Sequence, residues 1–328
     1  GQMDATELGL GHRHGTAHIQ HLARAARQQA HIAGDDEARG WHVRQVARDG
    51  ALGELGTLAQ RVPDEVADTA LVAPAALRSQ LLALQQRCRL RERLALPLGL
   101  STRTRYRSGV RALLVGPSGT GKTLAAAWLA TALGLPLYRV DLAAVASKYI
   151  GETEKNLAQL FARAEHAEVM LLFDEADSLF GKRTDVKDAN DRYANQQTNY
   201  LLQRIESFDG IAILTSNSRS RFDSAFTRRL DMIIEFASPG PEERRALWLA
   251  HLGAHHQLAE GDVNRLSALC DLAGGHIRNV VLAAAARADG QPVGAAHLAD
   301  ALAAEYAKLG KPVPNGLLAA RPSTRDEA

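Results

Sequence analysis

A chain of 328 residues with 46% hydrophobic and 23% charged residues has the composition of a folded globular protein and room for one large domain or two to three smaller ones. No run of about 18 apolar residues is present, which leaves out a membrane-spanning helix, and a net charge of +2, with basic and acidic residues interspersed, calls for neither nucleic acid nor an anionic membrane surface. Cys88 and Cys270 form no CxxC pair, so neither a disulfide framework nor a zinc site is expected and a reducing cytoplasm fits.

The first ten residues, GQMDATELGL, carry no basic and apolar leader, so no secretion signal is expected. Thr16 to about Arg61 reads as helical and rich in Ala, Arg, Gln and His, until Pro63 interrupts it. Pro74 to about Leu96 reads as a second helical stretch, with Leu77, Leu81, Leu84 and Cys88 at helical spacing. Pro97-Leu98-Gly99 breaks the pattern, and Ser101–Ser108 reads as a basic linker. From Gly109 short apolar runs alternate with amphipathic helices. Strands are expected at Arg111–Val115, Leu137–Asp141, Val169–Phe173, Ile211–Thr215 and Met232–Phe236. Helices are expected at Thr123–Leu133, at Glu152–Ala164 with Leu157, Leu160, Phe161 and Ala164 on one face, and over most of Asp188–Phe208. This order predicts an α/β fold: a parallel sheet with flanking helices on both faces. After Pro239-Gly240-Pro241 the chain is helical again to about Leu309, opening on Pro241, Glu242 and Glu243, and the end, RPSTRDEA, reads as a frayed tail.

Two segments resemble each other. Thr16-Ala17-His18-Ile19-Gln20 opens a helix continuing HLARAAR, and Gly274-Gly275-His276-Ile277-Arg278 opens one continuing NVVLAAAAR. Each is followed by an apolar–His–apolar triplet, Trp41-His42-Val43 and Ala296-His297-Leu298. They read as two copies of one small helical bundle; the alternative is two unrelated Ala-rich helices.

Gly116-Pro117-Ser118-Gly119-Thr120-Gly121-Lys122-Thr123 satisfies G-x-x-x-x-G-K-[ST] between an expected strand and an expected helix. Glycines let backbone N–H groups curl around phosphates without Cβ clashes, and the helix N-terminus adds partial positive charge. Lys122 then reaches the β- and γ-phosphates and the Thr123 hydroxyl binds Mg²⁺. Downstream, Val169–Phe173 runs into Asp174-Glu175, which places two carboxylates at the carboxyl edge of the sheet, where open α/β folds bind ligands. Asp174 suits the Mg²⁺ shell and Glu175 the general base for an attacking water.

With these motifs the chain resembles the AAA+ ATPases from about Pro97 to Gly310, which implies binding and hydrolysis of ATP with Mg²⁺. Ile213–Asn217 resembles the strand carrying sensor 1, which implies a γ-phosphate or lytic-water contact for Asn217. Phe222–Arg229 resembles the second region of homology, with adjacent arginines as in katanin- and spastin-like members; the resemblance makes Arg228 and Arg229 arginine fingers that reach a neighbouring subunit's nucleotide. Gly275–Arg278 resembles a sensor 2 element, giving Arg278 a lid role, although many members of the narrower AAA clade lack that arginine. In the upstream copy the matching residue is Gln20, so that copy looks like the lid remnant of a degenerate module.

The stretches ASKYIGETEKNL (Ala146–Leu157) and LFGKRTDVKDANDRYAN (Leu179–Asn195) are similar to bacterial tandem AAA+ proteins, some associated with contractile injection systems. Lys148, Tyr149 and Ile150 occupy the place of an aromatic pore loop that grips an extended polypeptide. The resemblance therefore implies a homo-oligomer, typically a hexamer, that remodels or threads a protein substrate. The same core also serves nucleotide-dependent loaders and switches on DNA, and scaffolds that bind ATP with little turnover. The implied division is a helical region at 1–62, a helical linker at 63–108, the nucleotide-binding core at 109–238, an α-helical lid at 239–312 and a flexible tail at 313–328. His251, His255 and His256 read as surface or packing residues.

Overall fold

The computed structural model describes residues 16–35, 37–38, 42, 46, 55, 58–63, 65–142, 152–176, 199–219, 222 and 224–317. They fold as two compact units. The first takes in the chain up to Asp68, Ala76–Val115 and Lys122–Glu235; the second takes in Thr69–Ala75, Gly116–Gly121 and the chain from Phe236.

The first unit is built on a six-stranded sheet. Its strands are β1 (Ala59–Val62), β2 (Val110–Val115), β3 (Leu137–Val140), β4 (Met170–Phe173), β5 (Ile211–Ser216) and β6 (Met232–Glu235), in the order β1-β3-β4-β5-β2-β6. Every pairing is parallel except that of β1 with β3. The sequences VRALLV and IAILTS are buried at every position, as strands of a parallel sheet covered on both faces require. Register aligns Val115 of β2 with Ser216 of β5, and Phe173 of β4 with Leu214 of β5. The carboxyl ends of β2, β4 and β5 therefore lie together at one edge.

The helices of this unit are α1 (Thr16–Ala33), α2 (Ala75–Leu90, whose first residue falls in the second unit), α3 (Leu100–Arg105), α4 (Lys122–Leu133), α5 (Glu152–Ala167) and the short α6 (Ser224–Thr227). Residues 199–207 are also helical. On α5, Leu157, Leu160, Phe161 and Ala164 are the buried face, as their spacing predicts. Phe161 stacks on Phe173 of β4 at 6.0 Å between centroids and meets the edge of Phe208 at 5.1 Å. Burying each such ring contributes roughly 1.5–3 kcal/mol. Cys88 on α2 is packed in the interior, and burial pushes its thiol up to about 12, which keeps it unreactive.

Three local expectations give way. Residues 59–62, inside the stretch that reads as helical, are the strand β1: Ala, Gln and Arg favour helix, but pairing with β3 decides. The Asp141 N–H extends the ladder to Leu58 O at 3.0 Å. The helix read as Pro74–Leu96 stops at Leu90, where the Arg93 and Leu94 N–H groups bond to the Leu90 carbonyl and Arg91 turns back to the Cys88 carbonyl at 3.3 Å. Part of the expected basic linker is helical, as α3.

The segment after β1 is fastened to α4. Trp128 Nε1 donates to Asp68 Oδ1 at 2.9 Å, and the Val66 N–H donates to Thr131 Oγ1 at 3.1 Å. Arg78 pairs with Asp68 and lies 5.2 Å over the Trp128 ring. These contacts explain why α4, KTLAAAWLATAL, is apolar all round: Ala125–Ala130 are all buried.

The second unit contains α7 (Pro241–Leu252), α8 (Glu260–Leu269), α9 (Gly274–Ala288) and α10 (Ala295–Lys308). Its core gathers Trp248, Leu266, Ile277, Val280, Leu298 and Tyr306. α7 begins at Pro241 with Glu242 and Glu243 in its first turn, where a missing N–H costs nothing and negative charge is favoured. No helix among the described residues is long and apolar enough to cross a membrane.

Candidate active site

In the first unit, six residues come together from the amino end of α4 and the carboxyl ends of β4 and β5. Lys122 opens α4, is only 8% exposed, and donates from Nζ to Asn217 Oδ1 at 3.1 Å. A buried ammonium needs such partners, because desolvating it alone is costly. Thr123 Oγ1 donates to Asp174 Oδ1 at 3.1 Å, and Thr215 Oγ1 donates to the same oxygen at 2.6 Å. With its hydrogen directed at Asp174, the Thr123 hydroxyl keeps its lone pairs for a hard cation, and the Asp174 carboxylate stands beside it. A hydroxyl and a carboxylate oxygen are the donors that Mg²⁺ takes, so the pair fits that ion.

Glu175 has a φ of +52°, a left-handed conformation uncommon for a residue with a side chain. Its N–H donates to Thr215 Oγ1 at 2.9 Å, which helps hold the strained backbone in place. Strain of this kind costs about 1–3 kcal/mol and collects where geometry serves chemistry. Thr215 is thus a hub: it orients the Asp174 carboxylate with its proton and the Glu175 backbone with its lone pair. The sequence reading does not single out Thr215, although a hydroxyl inside a largely apolar strand is a visible signal.

In the second unit, the loop 116–121 meets the start of α9. The Gly275 N–H donates to Gly119 O at 2.9 Å, and a Cβ on Gly275 would lie 3.1 Å from Gly119 Cα. Only glycine permits that approach without a shift. Gly116 has a φ of +154°, and a Cβ there would stand 2.0 Å from Phe236 O, so no side chain fits. Thr120 Oγ1 closes the loop onto Pro117 O at 2.8 Å, and Pro117 and Ser118 are exposed. Arg278 lies on α9 one turn from its start and is exposed. Burial, and then the Arg278 charge, hold His251 below the usual histidine range.

Beside this turn is a buried carboxylate, Glu305, that no sequence motif marks. Glu305 of α10 is bonded by His276 Nδ1 at 2.8 Å, Asn279 Nδ2 at 3.4 Å and Lys308 Nζ at 2.9 Å. Burial pushes its carboxyl up, but the bonds from Lys308, His276 and Asn279 outweigh that and hold it below the usual glutamate range. Asp271 is held low as well, by Lys311 first and against some burial. A depressed folded pKa stabilises above the unfolded value of about 4.3 and ceases to do so as pH falls through the folded one. Thermal melting monitored by circular dichroism is therefore expected to change little from pH 7 to about pH 5 on account of these groups and to lose stability below about pH 4. Glu305→Gln should flatten that acid limb and lower stability at pH 7 by about 1–3 kcal/mol. An unchanged acid limb would refute the assignment.

Arg228 is exposed and makes no ion pair among the described residues, while Arg229 Nε sits 3.4 Å from Glu206 Oε2. Neither pairs with Asp231, whose carboxylate is taken by Arg87 and Arg111. Lys148, Tyr149 and Ile150 lie outside the described residues, as do residues 177–198, Trp41 and Val43.

Residues 112–238 match the family model described as ATPase family associated with various cellular activities (AAA), so this segment is similar to an AAA ATPase domain. More particularly, residues 240–305 match the model described as a contractile injection system ATPase helical domain. An uncharacterised AAA family ATPase of Sinorhizobium fredii is 38% identical over 129 residues, 39% of this chain and 38% of that protein. A 26S proteasome regulatory subunit 10B homolog of Arabidopsis thaliana is 30% identical over 58% of this chain and 51% of its own length. Proteasome-activating nucleotidase 2 of Halobacterium salinarum is 33% identical over 49% of this chain and 40% of its own length. The chain thus spans about half or less of these relatives. The crystal structure of the FIGL-1 AAA domain superposes with a TM-score of 0.57 at 20% identity, covering 81% of this chain and 97% of that one, which shows the shared fold.

Proposed function

We propose that this chain binds ATP with Mg²⁺ and hydrolyses its terminal phosphoanhydride bond in a homo-oligomer, a hexamer in the simplest case. The observation that carries this reading is the set Thr123–Asp174–Thr215–Glu175 with Lys122 on Asn217. In this reading Gly116, Pro117, Ser118, Gly119, Thr120 and Gly121 cradle the phosphates and Lys122 reaches the β- and γ-phosphates. Thr123 and Asp174 would hold Mg²⁺, which when bound would offset the negative charge that develops on the phosphate oxygens. Glu175 accepts the proton of a water that attacks the γ-phosphorus, Asn217 positions that water, and ADP leaves as the bond to its β-phosphate oxygen breaks. Arg228 and Arg229 complete a neighbouring subunit's site, and Arg278 closes the lid formed by residues 239–312.

The substrate we assign is protein, gripped by Tyr149 with Lys148 and Ile150, in a cytoplasmic machine. The helical-domain match at 240–305 supports a place for that machine in a contractile injection system. The region 1–62, expected to be helical, gives its last four residues, β1, to the core sheet; the part before β1 is, in the same reading, the lid remnant of a degenerate upstream module.

ATP hydrolysis measured against protein concentration, with light scattering on the same samples, tests the shared site. The rate per subunit should rise with concentration in step with particle mass. A flat rate from a particle of monomer mass would overturn it.

A further inference from the structure

Asp231 follows the arginine pair by two residues and touches none of the groups assigned to phosphate, metal or water. Its side chain is 13% exposed, and both of its oxygens are engaged. Oδ2 accepts from the Arg111 backbone N–H at 2.9 Å and from Arg111 Nε at 3.0 Å. Oδ1 accepts from the Arg87 guanidinium on α2. Arg111 spends its remaining donors on Glu206 O at 2.8 Å and Gly109 O at 3.1 Å, and the Asp231 N–H returns a bond to Arg111 O at 2.9 Å. Glu206, whose carbonyl Arg111 holds, is also the residue whose carboxylate faces Arg229. The turn carrying the pair is short and closed by the bonds Arg229 N to Phe226 O and Leu230 N to Thr227 O.

We propose that Asp231 is a positioning residue for Arg228 and Arg229, and that α2, through Arg87, sets where those arginines are presented to the neighbouring subunit. The proposal rests on the reading of the pair as acting in trans. The geometry supports it in three ways. Asp231 and Arg228 are separated by two intervening residues, so a displaced anchor moves the arginines almost directly, consecutive Cα atoms being about 3.8 Å apart. Asp231 joins β2, the arginine segment and α2 by charge, through Arg111 and Arg87. Arg87 is one-third exposed and Asp231 13% exposed, so their ion pair is partly buried. What it contributes is geometry: it fixes the outer oxygen of a carboxylate whose inner oxygen is already fixed by Arg111. A misplacement of about 1 Å at a reacting centre costs on the order of 10²-fold in rate. Because α2 follows the upstream segment and precedes the core, any partner that shifts α2 acts on the neighbour's turnover and not on its own subunit's nucleotide affinity.

Subunit mixing tests this. Arg87→Ala should lower kcat by about 10- to 100-fold at unchanged KM for ATP and unchanged particle mass, with Arg87→Lys intermediate. Arg87→Ala subunits have intact Lys122, Asp174 and Glu175 but misplaced arginines; Glu175→Gln subunits have the reverse. Mixed oligomers should recover turnover well above the sum of the two alone, because Arg87→Ala sites then receive correctly placed arginines from Glu175→Gln neighbours. Asp231→Asn should behave in the same way wherever it assembles, and a mixture of Arg228→Ala/Arg229→Ala subunits with Glu175→Gln subunits is the control. Unchanged kcat in Arg87→Ala, or no recovery on mixing while the control recovers, overturns the inference. Failure of the control to recover removes the trans reading itself, and this inference with it.

Discussion

Replacing Arg228 and Arg229 together with alanine is expected to lower the turnover of the assembled protein by about 10³–10⁵-fold while leaving ATP affinity within a few-fold. The expectation follows from where their charges are free to act. Asp231, the acid nearest in sequence, is committed to Arg87 and Arg111, so it does not neutralise either arginine. Arg229 meets Glu206 across 3.4 Å with both side chains about half exposed, a pair that water screens and a phosphate can displace. Each arginine can therefore stand in for the other, which is why the double variant is the decisive one. Steady-state hydrolysis and a fluorescent-nucleotide titration on the same samples separate the two effects. Turnover within threefold of the parent would remove these residues from the chemistry; lost binding would place them in their own subunit's nucleotide pocket.

Glu175→Gln is expected to lower kcat by about 10²–10⁴-fold with ATP affinity retained. The amide has the size of the carboxylate but cannot accept the proton of an attacking water. Its backbone should stay in place, because the bond that holds the +52° conformation runs from the Glu175 N–H to Thr215 Oγ1 and does not involve the side chain. Quenched single-turnover measurements at saturating ATP give the rate of the chemical step directly. A Glu175→Gln variant that turns over at the parent rate would mean that the base lies elsewhere.

The parts of this protein that could be read from sequence are those whose chemistry is local. The eight residues from Gly116 to Thr123 need a fixed order because one loop and one helix start must wrap one group, and Asp174-Glu175 announce themselves as acids ending an apolar strand. The strands β2 and β5 are legible because a strand buried on both faces is largely an apolar run, here broken only by Arg111 in β2 and closed by Thr215-Ser216 in β5. What escaped notice depends on partners far along the chain. Thr215 matters through Asp174, 41 residues away; Asp231 through Arg111, 120 residues away; Glu305 through His276, 29 residues away. Nothing in the sequence next to Asp231 or Glu305 marks either out, and Thr215 shows only as a hydroxyl in a largely apolar strand. β1 was missed for the same reason in backbone form: AQRV is not strand-like until β3 offers it a ladder.

That ladder has a practical side. β1 makes β3 an interior strand, and the Asp68 carboxylate gives the Trp128 indole an acceptor. A recombinant fragment trimmed to begin at Gly109, where the glycine-loop domain starts by its motifs, would carry β3 as an open edge and a tryptophan stripped of its cover. Open edges recruit other chains, so such a fragment should precipitate or form adventitious oligomers that imitate real assembly in a sizing experiment. Fragments intended for assembly measurements therefore need to begin upstream of Leu58.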